Sequence, residues 1–239
     1  MTSTNLQTSR PPDHPLLNLF INILLPVVIL NKGTPHLGAK TALILALSLP
    51  LIYGIVDFLK NHHKNYVSLF GLFNIALTGG LALMNLNGIW FCVKEALLPF
   101  SLGVLVLASA WSKTPAAQIM FCNPHVLNMS EIDQALIAKN RLEDFKKLLG
   151  ITTIWLSISF FISAILNFGL ALKIFTNIDP NLEATQQAVV LNEQIAKMTW
   201  AGLLVIALPL MVLSGILIFW FLKKIAKMTD LHFDKLLKS

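Results

Sequence analysis

Apolar and polar positions in this chain are sorted into long alternating blocks. Apolar runs occupy Leu16–Leu30, Thr41–Leu59, Tyr66–Leu86, Gly88–Trp111, Leu148–Phe175 and Met198–Leu222, with polar residues gathered between them. Most of these runs approach or exceed the roughly 20 residues that a helix needs to cross a bilayer. The pattern predicts an all-α fold, a polytopic transmembrane helical bundle of about six spans. Leu-Pro steps at Leu25-Pro26, Leu49-Pro50, Leu98-Pro99 and Leu208-Pro209 predict kinks within four of them, because proline lacks a backbone donor and clashes with the preceding turn. The first run is short, contains Pro26 and gives way to Asn31-Lys32-Gly33-Thr34-Pro35. Five spans plus a re-entrant helix are therefore the rival to six. A cleaved signal peptide ahead of Gly38-Ala39 carries less weight, since only Arg10 makes the N-terminal region basic.

The intervening segments complete the organisation. Residues 1–15 form a polar tail, 16–222 a single transmembrane domain and 223–239 a basic tail. Within the domain, 112–147 is expected to lie at the cytoplasmic interface. Ser130 suits an N-cap, Asp133 follows three residues on, and Ala135, Ala138, Leu142, Phe145 and Leu149 make one apolar stripe of a predicted helix Ser130–Leu149. An interfacial linker is the simpler use of that helix, and a protein-binding surface the other. The tail has five lysines among Leu231, Phe233, Leu236 and Leu237, and reads mainly as solvated stop-transfer charge, or as a short amphipathic helix resting on anionic lipid.

Charge then orients the bundle. Of 18 Lys and Arg residues, thirteen lie on the side shared by both termini, while Lys32, Lys40, Lys173 and Lys197 lie opposite and Lys94 sits within a run. The positive-inside rule places both termini in the cytoplasm. Only 13% of the residues are charged and 55% are hydrophobic, against about a quarter charged in soluble domains, so lipid is the expected surrounding solvent. The net charge of +6 needs no nucleic acid, because the cations flank apolar runs and belong to no recognisable nucleic-acid module. Anionic lipid at the cytoplasmic face accounts for them. Cys92 and Cys122 are expected to be free thiols.

The strongest chemical anomaly is Lys94-Glu95, about six residues into the fourth run. Charges at such depth must pair, snorkel or line a polar cavity. Successive helix positions diverge by about 100°, so each is expected to find its own partner, Glu95 with Lys32 or Lys40. The bland alternative starts the span near Ala96 and leaves both in the head groups. Asn31, Lys32, Lys94 and Glu95 together are the candidate polar or ligand site. Asn22, Tyr53, Asp57 and Asn74 are secondary candidates, with hydrogen bonding between helices as the commoner use of such residues. Asn74, Thr78, Gly79 and Gly80 suggest close packing rather than chemistry. No catalytic fingerprint is present: there is no Gly-x-Ser-x-Gly, His-Glu-x-x-His, Walker or dinucleotide motif, and Cys122-Asn123-Pro124-His125 is half a metal site at most. The chain is expected to be no enzyme and to need no cofactor.

Two family resemblances follow from local motifs. Between Leu16 and Trp111 the chain resembles the bacterial intracellular septation protein A (YciB-like) family, through the run ending at Asn31-Lys32, the short basic second loop, Leu77-Thr78-Gly79-Gly80, and Trp90-Phe91-Cys92-Val93-Lys94 leading to Pro99. Over nearly its full length it is similar to an uncharacterised family of bacterial multi-pass inner-membrane proteins loosely labelled transporter-like, through Leu30-Asn31-Lys32-Gly33, Tyr53-Gly54-Ile55-Val56-Asp57 and Lys94-Glu95-Ala96. These resemblances imply a bacterial inner-membrane protein and favour Asp57, Lys94 and Glu95 as residues to test. The expectation is a permease or channel-like protein for a small polar solute or ion. The alternative is an envelope-maintenance or division-associated scaffold with protein partners or a second copy of itself.

Overall fold

The computed structural model of the chain describes residue 20 and residues 24–60, 66–84, 86 and 88–238, with the side chains of 57–60, 66–72, 75 and 83 outside that description. Among the described residues the regular elements are helices, joined by turns and loops, with one isolated antiparallel bridge, Leu127 with Leu237. Four helices among the described residues are long and apolar enough to cross a membrane, within Ala39–Val56, Ile89–Ser109, Leu142–Ile174 and the run Ala184–Thr229. By length and composition these make the chain a multi-pass membrane protein. The third expected run forms an 18-residue helix, Tyr66–Leu83. Much of the first expected span, including Asn22, lies outside the described residues.

The chain divides into two compact units, the first comprising 1–83 and 179–200, the second 84–178 and 201–239. The first unit begins with an interrupted helix: α1 (Leu25–Val28), a π-helical segment (Ile29–Gly33) and α2 (Thr34–Leu37). The break has a chemical cause in Pro35, which stands in the stretch that ends the first apolar run. Pro35 cannot donate to the carbonyl four residues back, that of Asn31, and its ring crowds the same carbonyl. The π-helical turn falls on that position. Gly38, at φ +80°, then lets the chain turn into α3 (Ala39–Lys60), which contains Pro50. Helix α4 (Tyr66–Leu83) packs against α3, and a Cβ on Gly79 would lie 3.1 Å from Leu47, the close approach expected of this glycine.

In the second unit, α5 (Ile89–Ser109) and the 33-residue α8 (Leu142–Ile174) make the most extensive helix pair. Gly103 suits that approach, because a Cβ there would come 2.8 Å from the Phe161 ring and force it to shift. Between them in sequence lie α6 (Ala116–Phe121) and α7 (Met129–Ala138). The single helix expected over Ser130–Leu149 is two helices. Asn140, at φ +54°, breaks it after α7, and Leu142 already opens α8. The N-cap position falls to Asn128 rather than Ser130, and the core-facing residues of α7 are Ile132 and Leu136.

Within the run Ala184–Thr229, α9 (Ala184–Gly202) leads through a second π segment, Leu203–Ala207, into α10 (Leu208–Thr229). Pro209 again stands four residues beyond a carbonyl, that of Val205, inside the π segment. The tail does not float as solvated charge. Helix α11 (Phe233–Leu236) packs on α7 and α10, Asn128 N donates to the Leu236 carbonyl at 2.8 Å, and Lys238 N to that of Val126 at 2.9 Å. Ala117, Ile132, Leu136, Phe145, Leu148, Phe221, Ile225 and Leu236 share one core, so these short elements and two long-helix ends form a small closed cap.

Candidate functional site

A candidate polar site lies within the first unit, where two helical stripes line a groove. Leu24, Val27, Val28 and Asn31 recur at the three-to-four-residue spacing of one helix face, and Glu193, Ala196, Lys197 and Trp200 repeat that spacing on α9. They enclose an open groove of about 540 Å³, within the usual range for small-molecule sites. Asn31 enters it from the π segment that Pro35 enforces, so the helical defect and the groove share one residue.

Buried polar contacts hold this arrangement from behind. Asn192 is only 1% exposed, on a different face of α9 from its neighbour Glu193, which is exposed. Its amide Nδ2 donates to the Ala39 carbonyl at 2.8 Å and to Thr34 Oγ1 at 3.3 Å. Thr34 Oγ1 in turn donates to the Leu30 carbonyl at 2.5 Å. Asn192 thus fastens α9 to both sides of the break at Gly38, and a well-satisfied buried amide of this kind specifies geometry as well as stability. Among the described residues, Glu193 and Lys197 form no ion pair with each other, although both are exposed on one face.

The residues named from sequence are distributed as follows. Asn31 and Lys32 are exposed on the π segment of the first unit, and Asn31 lines the groove. Tyr53 is half-buried on α3, and the carbonyl of the half-buried Asn74 accepts a bond from Thr78 Oγ1 at 2.9 Å, a contact within one helix. The side chain of Asp57 and all of Asn22 lie outside the described residues. Lys94 and Glu95 stand near the start of α5 in the second unit.

Their pairing corrects the expectation of separate partners. Lys94 Nζ lies 2.6 Å from Glu95 Oε1, with side-chain exposures of 5% and 19%. The roughly 100° between neighbouring positions separates the Cβ atoms, but each side chain has enough rotatable bonds to bend back across the helix surface. Glu95 therefore meets Lys94 itself. Phe91, stacked on Phe175 with centroids 4.7 Å apart, and the buried Cys92 lie beside them.

Asn192, Glu193 and Trp200 are not among the residues named from sequence, and Lys197 is named only as a topology charge, because the apolar pattern starts the last span at Met198 and leaves the residues before it in a loop. The available signal was the stripe Leu191, Ile195, Met198 at helical spacing, which extends the helix backwards through them. Among the described residues no group of three or more His, Cys, Asp or Glu side chains is arranged to hold a metal ion. Comparison with protein-family models, with curated proteins and with solved structures finds no match to this chain.

Proposed function

We propose that this protein is a small permease or channel-like protein of the bacterial inner membrane, with six spans and both termini in the cytoplasm, that admits a small polar solute or ion. One observation carries the reading: a groove lined by an amide, a carboxylate, an ammonium and an indole adjoins an interrupted helix. Discontinuous helices present backbone and side-chain polar groups to solutes in many transporters, where irregular backbone is tolerated if it lines a cavity. On the charge-derived topology Asn31 and Lys197 belong to the non-cytoplasmic side, so the groove serves as an entry vestibule. Lys94 and Glu95 satisfy each other and have a supporting role in this scheme, replacing their place in the vestibule. The assignment is to solute passage and not to an enzymatic reaction.

The test is flux through the purified full-length chain in proteoliposomes, using potassium, chloride, glycerol and an amino acid in parallel. At least one should equilibrate faster than in empty vesicles, and Asn31→Leu and Trp200→Ala should each slow it severalfold. Flux that is indifferent to both substitutions removes the groove from the path, and vesicles tight to all four remove the permease reading.

A second reading, an envelope or division-associated scaffold, draws on the cap, where Ile119 and Ile137 are exposed at 72% and 63%. Phe145, on the apolar stripe of the segment offered from sequence as a protein-binding helix, is buried in the cap core. Site-specific photocrosslinking from Ile137 to one recurring envelope protein, lost in Ile137→Asp, would favour it; no such adduct counts against it.

A further inference from the structure

The groove has two opposite charges, one turn apart, that do not neutralise each other. Glu193 and Lys197 stand at i and i+4 on α9, exposed and, among the described residues, not ion-paired together. Glutamate four residues before lysine is the order in which the two pair most readily on an isolated helix. In the groove both line the wall with Ala196 and Trp200, opposite Leu24, Val27, Val28 and Asn31. A simple cation entering there gains from Glu193 and is opposed by Lys197, and a simple anion meets the reverse, since each leaves one wall charge unmatched. An uncharged solute desolvates both charges and pairs neither. A molecule bearing an ammonium and a carboxylate on neighbouring atoms satisfies both at once.

The rest of the lining is apolar or amphipathic. Leu24, Val27 and Val28 form an aliphatic wall, the Trp200 indole is large and half exposed, and Asn31 brings an amide that both donates and accepts. We infer that the groove binds a small zwitterion with an apolar side chain, of the α-amino-acid class. Lys197 holds its carboxylate, Glu193 its ammonium, Asn31 a remaining donor or acceptor, and the aliphatic wall with Trp200 its side chain. This deepens the solute-passage reading and rests on it.

Calorimetry on the full-length protein in nanodiscs tests the assignment with three probes: leucine, leucinamide, which lacks the carboxylate, and 4-methylvalerate, which lacks the ammonium. Leucine should bind at least about tenfold more tightly than either single-charge analogue, the scale of one charge-assisted hydrogen bond. Lys197→Gln should erase the gap between leucine and leucinamide, and Glu193→Gln that between leucine and 4-methylvalerate. Both positions are exposed, and unchanged melting temperatures would show that the variants fold. An analogue binding as tightly as leucine, or gaps that survive both substitutions, overturns the zwitterion assignment. So does absence of leucine binding while another solute passes in a Trp200-dependent manner, an outcome that leaves the permease reading standing. Vesicles tight to every solute overturn both.

Discussion

A lysine and a glutamate adjacent on one helix can satisfy each other only by bending along its surface, and Lys94 and Glu95 do so where water is scarce. Removing Lys94 takes from the Glu95 carboxylate its ion-pair partner, an error that costs about 3–5 kcal/mol for a fully buried pair. Because Glu95 retains some exposure, Lys94→Met should destabilise at or below the low end of that range. Lys94→Met combined with Glu95→Leu should recover most of the loss, and thermal melting of the single and double variants in one detergent checks it. Cys122 offers a pH-dependent companion on the cap. Burial, followed by the nearby negative charge of Asp133, pushes its thiol up to about 11 from an ordinary 9.0. The folded state therefore keeps a proton that the unfolded chain releases, so this stabilisation is complete below about pH 9 and lost as pH rises through about 11. In a Cys92→Ala background, Cys122 should alkylate with iodoacetamide at neutral pH about a hundredfold more slowly than an unperturbed cysteine, reflecting its smaller thiolate fraction.

At the scale of elements, prolines and glycines determine where helices loosen and where they touch. Both π segments contain the carbonyl that a proline four residues later cannot serve: Asn31 before Pro35, and Val205 before Pro209. Pro50 and Pro99, by contrast, sit inside α3 and α5. Close packing of α5 and α8 turns on Gly103, where the Phe161 ring occupies the space that a side chain would need. Gly103→Ala should cost about 1–3 kcal/mol through overpacking, and Phe161→Leu should relieve part of that cost. A double-mutant cycle read by thermal melting would show the coupling, and additive effects would exclude the contact as its source.

For the molecule as a whole, the cap joins distant parts of the second unit. Residues from α6, α7, the start of α8, the end of α10 and the tail share one core. Two positive-φ residues, Asn140 and Asp230, follow the ends of α7 and α10, and the Lys139 ammonium pairs with the Asp230 carboxylate beside them, holding that carboxyl below its usual range. Leu236, fully buried, anchors the tail. Leu236→Ala should cost about 2–5 kcal/mol and make the tail newly sensitive to limited proteolysis. A tail equally resistant in both proteins would show that the bridge to Val126 and Asn128 holds without it.

The block pattern of apolar residues was enough to establish the helical class, most helix positions and the membrane as surroundings, because lipid leaves a spanning chain few ways to satisfy its backbone. Gly79 was legible as a packing residue, and Asn31, a polar candidate from sequence, lines the groove. The groove was not, because Glu193 and Lys197 looked like loop charges until Asn192 was seen tying their helix to Thr34 and Ala39, contacts more than 150 residues apart in sequence. The pairing of Lys94 with Glu95 depended on side-chain bending that helix periodicity does not encode, and the docking of the basic tail depended on a pocket built by α7 and α10. Local pattern determined which segments form helices and avoid water; the three-dimensional arrangement alone decided which polar groups meet, since that depends on side-chain conformation and, for Asn192 with Thr34 and Ala39, on neighbours distant along the chain.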